Sequence, residues 1–181
     1  MSKHYCLAID PANVESGWVL MDAVTYEPIA FNKTPNEDFR DMIYSGRFEG
    51  VDDYVEVEGS DECVVAIEMV ASYGMPVGKE VFETCVWIGR FTEACIKARH
   101  GYAHLYEQPE LVYRKNVKTH LCGHTNAKDA NVRQALIDRF AKTASGKGTK
   151  KDPDWFYGFR ADMWQAYAVG VTYLDWIHAK E

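Results

Sequence analysis

No stretch of this 181-residue chain approaches the about 20 consecutive apolar residues that a membrane-spanning helix requires. Its five cysteines, Cys6, Cys63, Cys85, Cys95 and Cys122, are scattered and form no CxxC pair. That excludes a disulfide framework and the commoner zinc scaffolds, and the expectation is reduced, mostly buried thiols in a cytoplasmic protein. The phosphate loop G-x-x-x-x-G-K-[ST] is missing too: "GMPVGKE" (74–80) ends in Gly-Lys without the spacing. No serine or cysteine is arranged for nucleophilic catalysis, and no internal repeat is visible. The first residues pass directly into a strand pattern, so no signal peptide is expected.

Positive charge is also scarce. The net charge of −7 argues against a generic nucleic-acid coat. Its distribution says more, because residues 97–160 hold thirteen Lys/Arg against six Asp/Glu, and the remainder holds seven against twenty-one. A basic segment in an acidic chain suits a surface facing a polyanion, and equally a solvated face.

The length fits one domain with a sizeable core. Residues 4–10, 16–23 and 28–33 read as three antiparallel strands. Residues 36–48 read as a short helix closed near Gly46, and 49–62 as an acidic surface loop. "CVVAIEM" (63–69) is a compact β-branched run suited to a buried strand. An amphipathic helix is expected over 77–99, with apolar residues near 81, 85, 88, 91 and 95. Strands are expected near 104–107 and 111–114, separated by Pro109, and helices over 127–140 and 159–177. The Gly/Ser/Lys-rich stretch 143–158 reads as a mobile loop within a single domain spanning 1–181. Strands followed by alternating helices and strands predict an α/β layer fold.

Three carboxylates stand at element ends beside residues that must be buried. Asp10 closes the first strand, Glu68 ends "VVAIE", and Asp162 opens the last helix in "RADMWQA". Taken singly, each also reads as a cap, a turn residue or an ion-pair partner. A buried acid needs a partner or a metal. Three converging acids would supply the hard oxygen ligands that Mg²⁺ prefers, with open positions for phosphate oxygens. Two such ions about 4 Å apart clamp the attacking and leaving oxygens of a phosphodiester.

"LAIDPANVESGWVLMD" (7–22) resembles the opening of RuvC-like Holliday-junction resolvases, where a strand ending in I-D-P precedes a turn and a Gly-aromatic strand. "VVAIEMV" resembles the strand delivering that family's catalytic Glu. "NVKTHLCGHTNAKDANV" (116–132) resembles its V-K-x-x-x-x-G…A-x-K-x-x-V segment, with Lys118, Gly123, Ala127, Lys128 and Val132 in step. "ADMWQAYAVGVTY" resembles its last helix, which carries D-x-x-D-A-x-A. Four motifs in order span essentially the whole chain, and compact phage-encoded members are the nearest in character.

The resemblance implies an RNase H-like fold, with a five-stranded mixed sheet (three antiparallel strands, then parallel ones) flanked by helices. It implies Mg²⁺- or Mn²⁺-dependent nicking of branched DNA such as four-way junctions and forks, leaving a 5′-phosphate and a 3′-hydroxyl. Asp10, Glu68 and Asp162 match the family's acids, and Lys118 and Lys128 match its basic residues near the scissile phosphate and backbone. Tyr73, soon after the Glu, falls near an aromatic that wedges into the junction, but in a shifted register, so that it reads first as an ordinary surface or core tyrosine. Two symmetry-related nicks imply a homodimer, for which Trp87, Ile88 and Phe91 on the long helix are the candidate surface.

The chain departs from the family where its fourth acid is expected. Gln165 stands there, and its amide oxygen can meet Mg²⁺ without bringing charge, so either two-ion binding is weaker, or another acid such as Asp152 or Asp154 compensates, or activity is impaired. The basic segment, including Lys147, Lys150 and Lys151, would supply most phosphate contacts. "HLCGH" sets His120, Cys122 and His124 at alternating positions, but no second ligand pair follows for zinc. Sugar-kinase-like ATPases begin similarly yet need a second lobe. A non-catalytic RNase H-like module that binds branched DNA or a protein partner is the remaining alternative.

Overall fold

A computed structural model describes residues 2–50, 53–101 and 103–180. β1 (His4–Asp10), β2 (Glu15–Asp22) and β3 (Pro28–Pro35) form an antiparallel meander, as expected. α1 (Asn36–Ser45) follows, and Gly46 stops it in the left-handed conformation, φ 68°, which glycine adopts without a Cβ penalty. β4 (Arg47–Glu49) and β5 (Tyr54–Glu56) pair as a small hairpin within the region read as a loop. Val51 and Asp52 of that region lie outside the described residues. β6 (Glu62–Met69) then runs parallel to β1.

α2 (Lys79–Lys97) leads to β7 (Arg99–His100) and β8 (Ala103–His104), which among the described residues form a separate two-stranded pair. The strand expected near 104–107 therefore does not enter the main sheet. Its fifth strand is β9 (Glu110–Tyr113), parallel to β6. α3 (Arg114–Cys122) follows at once and was not anticipated, because Val117 is its one buried residue and no apolar stripe marks it. α4 (Asp129–Phe140) and α5 (Ala161–His178) complete the chain. The sheet order β3-β2-β1-β6-β9 is the mixed five-stranded arrangement expected.

β1 is central, and its side chains from Tyr5 to Ile9 are buried on both faces, which explains an unbroken apolar run instead of alternation. One core layer joins Leu7, Ile9, Trp18, Val65 and Ile67 to α1 and α2. The other joins Ala8, Val19, Met21 and Ala66 to α5 and the aromatics Phe156, Phe159, Trp164 and Tyr167. Those aromatics pack the last helix on the sheet, while Tyr157 stays partly exposed. α5 sits so close that a Cβ on Gly170 would lie 2.9 Å from Ala8 Cβ and meet Met21 as well. Gly170→Ala is expected to cost about 1–3 kcal/mol by overpacking. A thermal melt reads it, and an unchanged melting temperature would contradict the packing described.

Ile88 and Phe91, two of the three proposed dimer residues, are buried in the core at 4 % and 0 % exposure, and Trp87 is half-buried. The apolar surface that α2 leaves open is Phe82 (63 % exposed) and Val86 (54 %), one turn apart, with Ile96 (44 %) near its other end. The 143–158 segment is cross-bonded: the Asp154 carboxylate accepts from the Lys142 and Thr143 amides and the Thr143 hydroxyl, and Gly148 bridges Pro153. All five cysteines are free, with Cys6, Cys63 and Cys95 buried. Among the described residues, no helix is long and apolar enough to cross a membrane.

Candidate active site

Register brings the site together. Asp10 ends β1 opposite Gly17 of β2, and Gly17 lies opposite Lys33 of β3. On the other side Ile9 pairs with Ile67, so Glu68 emerges beside Asp10 at the carboxyl ends of two parallel strands. Ligands of α/β sheets gather at such ends. Met69 pairs with Tyr113, which places Arg114 immediately beyond. The turn after Asp10 is fixed from within. Buried Ser16 donates to Asn36 Oδ1 at 2.6 Å, Asn36 Nδ2 donates to the Ala12 carbonyl at 2.8 Å, and the Ala12 amide donates to Ser16 Oγ at 3.2 Å.

α5 delivers Asp162 in its first turn, where the helix dipole favours a carboxylate. Its approach depends on Gly17, since a Cβ there would lie 2.8 Å from Asp162 Cβ and 2.9 Å from its carbonyl oxygen. Ala161, at φ 25°, holds a conformation that L residues rarely adopt, a local strain of about 1–3 kcal/mol next to the acid. Gly17→Ala is expected to leave the fold intact while displacing Asp162. Any chemistry that depends on the placement of Asp162 should fall by about 10²-fold, as misplacement by about 1 Å does elsewhere. A structure of the variant with Asp162 unmoved would show that the close approach is irrelevant.

The three acids are not equally compensated. Asp10 is desolvated, and its pKa stands well above 3.8, through burial first and then the negative charges of Glu68 and Asp162, with Arg114 opposing. No hydrogen bond relieves it among the described residues. Glu68, 8 % exposed, accepts from Arg114 Nη1 at 3.0 Å and 3.3 Å. Burial still raises its pKa more than Arg114 lowers it. Asp162 pairs with Lys33 Nζ at 2.7 Å. The same guanidinium that holds Glu68 reaches Asp129 with Nη2 at 2.6 Å, and Lys118 Nζ lies 4.0 Å from Asp129.

A cavity of about 500 Å³ opens on this cluster, lined among others by Asp10, Asp162, Gln165, Arg114, Asp129 and Arg133. Gln165 is thus where the sequence set it, beside Asp162. Arg133 stacks over the Trp164 ring at 4.5 Å. A second cavity of about 420 Å³ is lined by Tyr73, Arg114, Lys115, Lys118, Thr125 and Asn126. Tyr73 is 65 % exposed there, so it is a surface residue next to Lys118. Lys128 is exposed just before α4, its amide bonded to Asn131.

Lys147, Lys150 and Lys151 do not join the cluster. Their loop packs near Ile137, in the half of α4 away from Asp129. Asp154 caps that loop, and neither Asp152 nor Asp154 lines the acidic cavity, so neither stands in for the fourth acid. His120 is bound to Asp175 at 2.7 Å and His124 is exposed, so "HLCGH" is no zinc set.

Three residues of the acidic cavity are not marked by the sequence, Arg114, Asp129 and Arg133, and neither is Lys33, the ion-pair partner of Asp162. Asp129 directly follows Lys128 and opens a helix, the position where an acid is favoured, and that signal was available.

The donor set suits a divalent cation in its chemistry: hard carboxylate oxygens, one of them, Asp10, half-buried and, among the described residues, without a hydrogen-bond partner. Among the described residues, however, no group of three or more His, Cys, Asp or Glu is drawn into ready coordination geometry. Arg114 and Lys33 occupy Glu68 and Asp162 instead.

No family model matches the sequence. No curated protein matches it either. Among solved structures, Thermus thermophilus RuvC is similar with a TM-score of 0.62 and 13 % identity, covering 97 % of this chain and 96 % of that one. T. thermophilus RuvC in complex with a Holliday junction substrate gives 0.61 and 13 %, with the same coverage. At this identity the likeness establishes the fold, the RNase H-like arrangement expected from the sequence.

Proposed function

We propose that the protein is a metal-dependent, structure-selective endodeoxyribonuclease that nicks branched DNA such as four-way junctions and forks. The observation that carries this reading is Asp10: a desolvated, unpartnered carboxylate at the end of the central strand, with the charges of Glu68 and Asp162 directed at it. Such an arrangement is costly for folding and makes sense where a cation is to be held. The likeness to a protein whose structure is a complex with a Holliday junction supports the choice of substrate.

Asp10, Glu68 and Asp162 would hold Mg²⁺ or Mn²⁺, with the Gln165 amide oxygen as a neutral fourth donor. When bound, the cation supplies an activated water and charge stabilisation for in-line attack on a phosphodiester. The residues around it have separate tasks. Asp10 is rigid because its strand is paired on both sides. Arg133 in the acidic cavity and Lys118 in the second cavity, which shares Arg114 with it, would face phosphates, and Lys118 would offset charge developing at the reacting phosphate. Tyr73 offers an exposed ring beside Lys115 and Lys118 on which an unpaired base can stack. Lys128 and the 147–151 lysines extend the phosphate contacts at the periphery. The expected products carry a 5′-phosphate and a 3′-hydroxyl. The setting is the cytoplasm of a bacterial cell or a phage-infected host.

Paired nicks across a junction call for a homodimer, and Phe82 and Val86 on α2 are the surface offered for it. Phe82→Glu with Val86→Glu should lower the sedimentation coefficient to that of a monomer. A coefficient unaltered by both changes would remove this interface.

A nicking assay on labelled four-way junction, fork and linear duplex, with Mg²⁺ or Mn²⁺, tests the function. Cutting of the branched substrates in preference to duplex is expected, and it should vanish with EDTA. The pairing of Glu68 with Arg114 and the neutral Gln165 favour a second reading, a module that binds branched DNA without cutting. Tight junction binding with no nicking at any metal concentration would select it.

A further inference from the structure

We propose that Arg114 is an internal counter-cation of the acidic centre, holding Glu68 until a divalent cation displaces it onto Asp129. This inference rests on the metal-site reading above and concerns how that site is loaded.

The guanidinium spans two carboxylates with different nitrogens, Nη1 on Glu68 at 3.0 Å and Nη2 on Asp129 at 2.6 Å. A planar fork with five donors makes such a bridge, which a lysine ammonium does not reproduce. The two ends differ in character. Glu68 is buried beside Asp10, whereas Asp129 is exposed, on the first turn of α4. The guanidinium can therefore leave Glu68 and keep Asp129, with Lys118 4.0 Å away on the same carboxylate. Without a metal, Arg114 supplies the positive charge that buried Glu68 requires. It does nothing for Asp10 by contact, so the centre keeps one bare acid ready for the cation.

Displacement makes the two cations competitors for one carboxylate, and their binding energies oppose each other by linkage. Lys33 on Asp162 is the comparison. Its pair is a single contact between half-exposed groups and should compete weakly.

Mn²⁺ binding to the free protein, followed by the electron paramagnetic resonance of unbound Mn²⁺, tests this without turnover. Arg114→Ala should bind Mn²⁺ about tenfold tighter than wild type, the equivalent of losing one charge-assisted bond. Arg114→Lys keeps the charge but loses the bridge, and should still bind about threefold tighter or more. Lys33→Ala should change the affinity less than either. In EDTA the Arg114→Ala protein should melt lower than wild type, and saturating Mn²⁺ should raise its melting temperature by more than it raises that of wild type.

Equal Mn²⁺ affinity in wild type and both Arg114 variants would overturn the proposal while leaving the metal site standing. Weaker binding in Arg114→Lys would also overturn it, and would make Arg114 a positioning residue for Glu68. If no protein binds Mn²⁺ although all melt cooperatively, both the latch and the metal-site reading fall.

Discussion

Asp10→Asn is expected to slow nicking by about 10²–10³-fold and, at the same time, to make the metal-free protein more stable. Replacing the carboxylate by an amide removes the ligand central to the proposed cation site. Loss of about 3–4 kcal/mol of transition-state stabilisation lowers the rate by about 10²–10³-fold. The opposite sign for stability follows from the environment of Asp10. Its carboxylate is desolvated and faces Glu68 and Asp162, so its charged form is disfavoured in the folded state and its pKa is raised well above 3.8. A group with a raised folded pKa stabilises the fold when protonated. That contribution is full below its unfolded value and is lost as pH climbs through the folded one. Glu68, also raised, acts in the same direction. In EDTA the wild type should therefore lose stability as pH increases above about 4, and Asp10→Asn should lose less. Melts across pH 4–8 with and without Mn²⁺ give both signs in one experiment. A variant that is inactive because it is unfolded would contradict the account.

The second large effect lies at the far end of α5. The Asp175 carboxylate accepts from both terminal nitrogens of Arg139 at 2.6 and 2.8 Å, from His120 Nε2 at 2.7 Å and from the Tyr26 hydroxyl at 2.8 Å. One side chain thus ties α3, α4 and the turn between β2 and β3 to α5. Burial by itself would raise its pKa, but these donors outweigh burial and hold it at about 2. Asp175→Ala leaves the donors with no shared acceptor and should cost about 2–3 kcal/mol. For a chain of this size that lowers the melting temperature by about 5–10 °C. Here the linkage has the other sign. A depressed folded pKa stabilises above 3.8, and the contribution disappears as pH falls towards about 2. The melting temperatures of wild type and variant should converge on acidification. Nicking at 25 °C should persist, because Asp175 does not line the acidic cavity.

These two sites differ in how far the sequence disclosed them. Asp10 and Glu68 could be read because a strand buried on both faces is an unbroken apolar run, and an acid closing one is conspicuous. Asp162 stood out as an acid at the start of an apolar helix. What escaped was pairwise. Arg114 reaches Glu68 only because β9 pairs with β6 so that Tyr113 lies beside Met69. A four-residue strand adjoining Pro109 carries too little pattern to fix that register. α3 was hidden for a related reason: Val117 is its sole buried residue, so no helical period shows. Ile88 and Phe91 were misassigned to a dimer surface because periodicity marks an apolar face without saying what covers it. α1 and the first core layer cover that face, leaving Phe82, Val86 and Ile96 outside. Lys33 was overlooked because it belongs to the acidic part of the chain, and only the sheet carries it to Asp162.

The most direct test of the central claim, that Asp10, Glu68 and Asp162 form a divalent-cation site, is anomalous diffraction from crystals soaked in Mn²⁺. The account predicts a peak within coordination distance of Asp10 and at least one of Glu68 and Asp162, with Arg114 turned away from Glu68, and no such peak in Asp10→Asn crystals. Full soaking with no peak at these carboxylates, or an equal peak in Asp10→Asn, would contradict it.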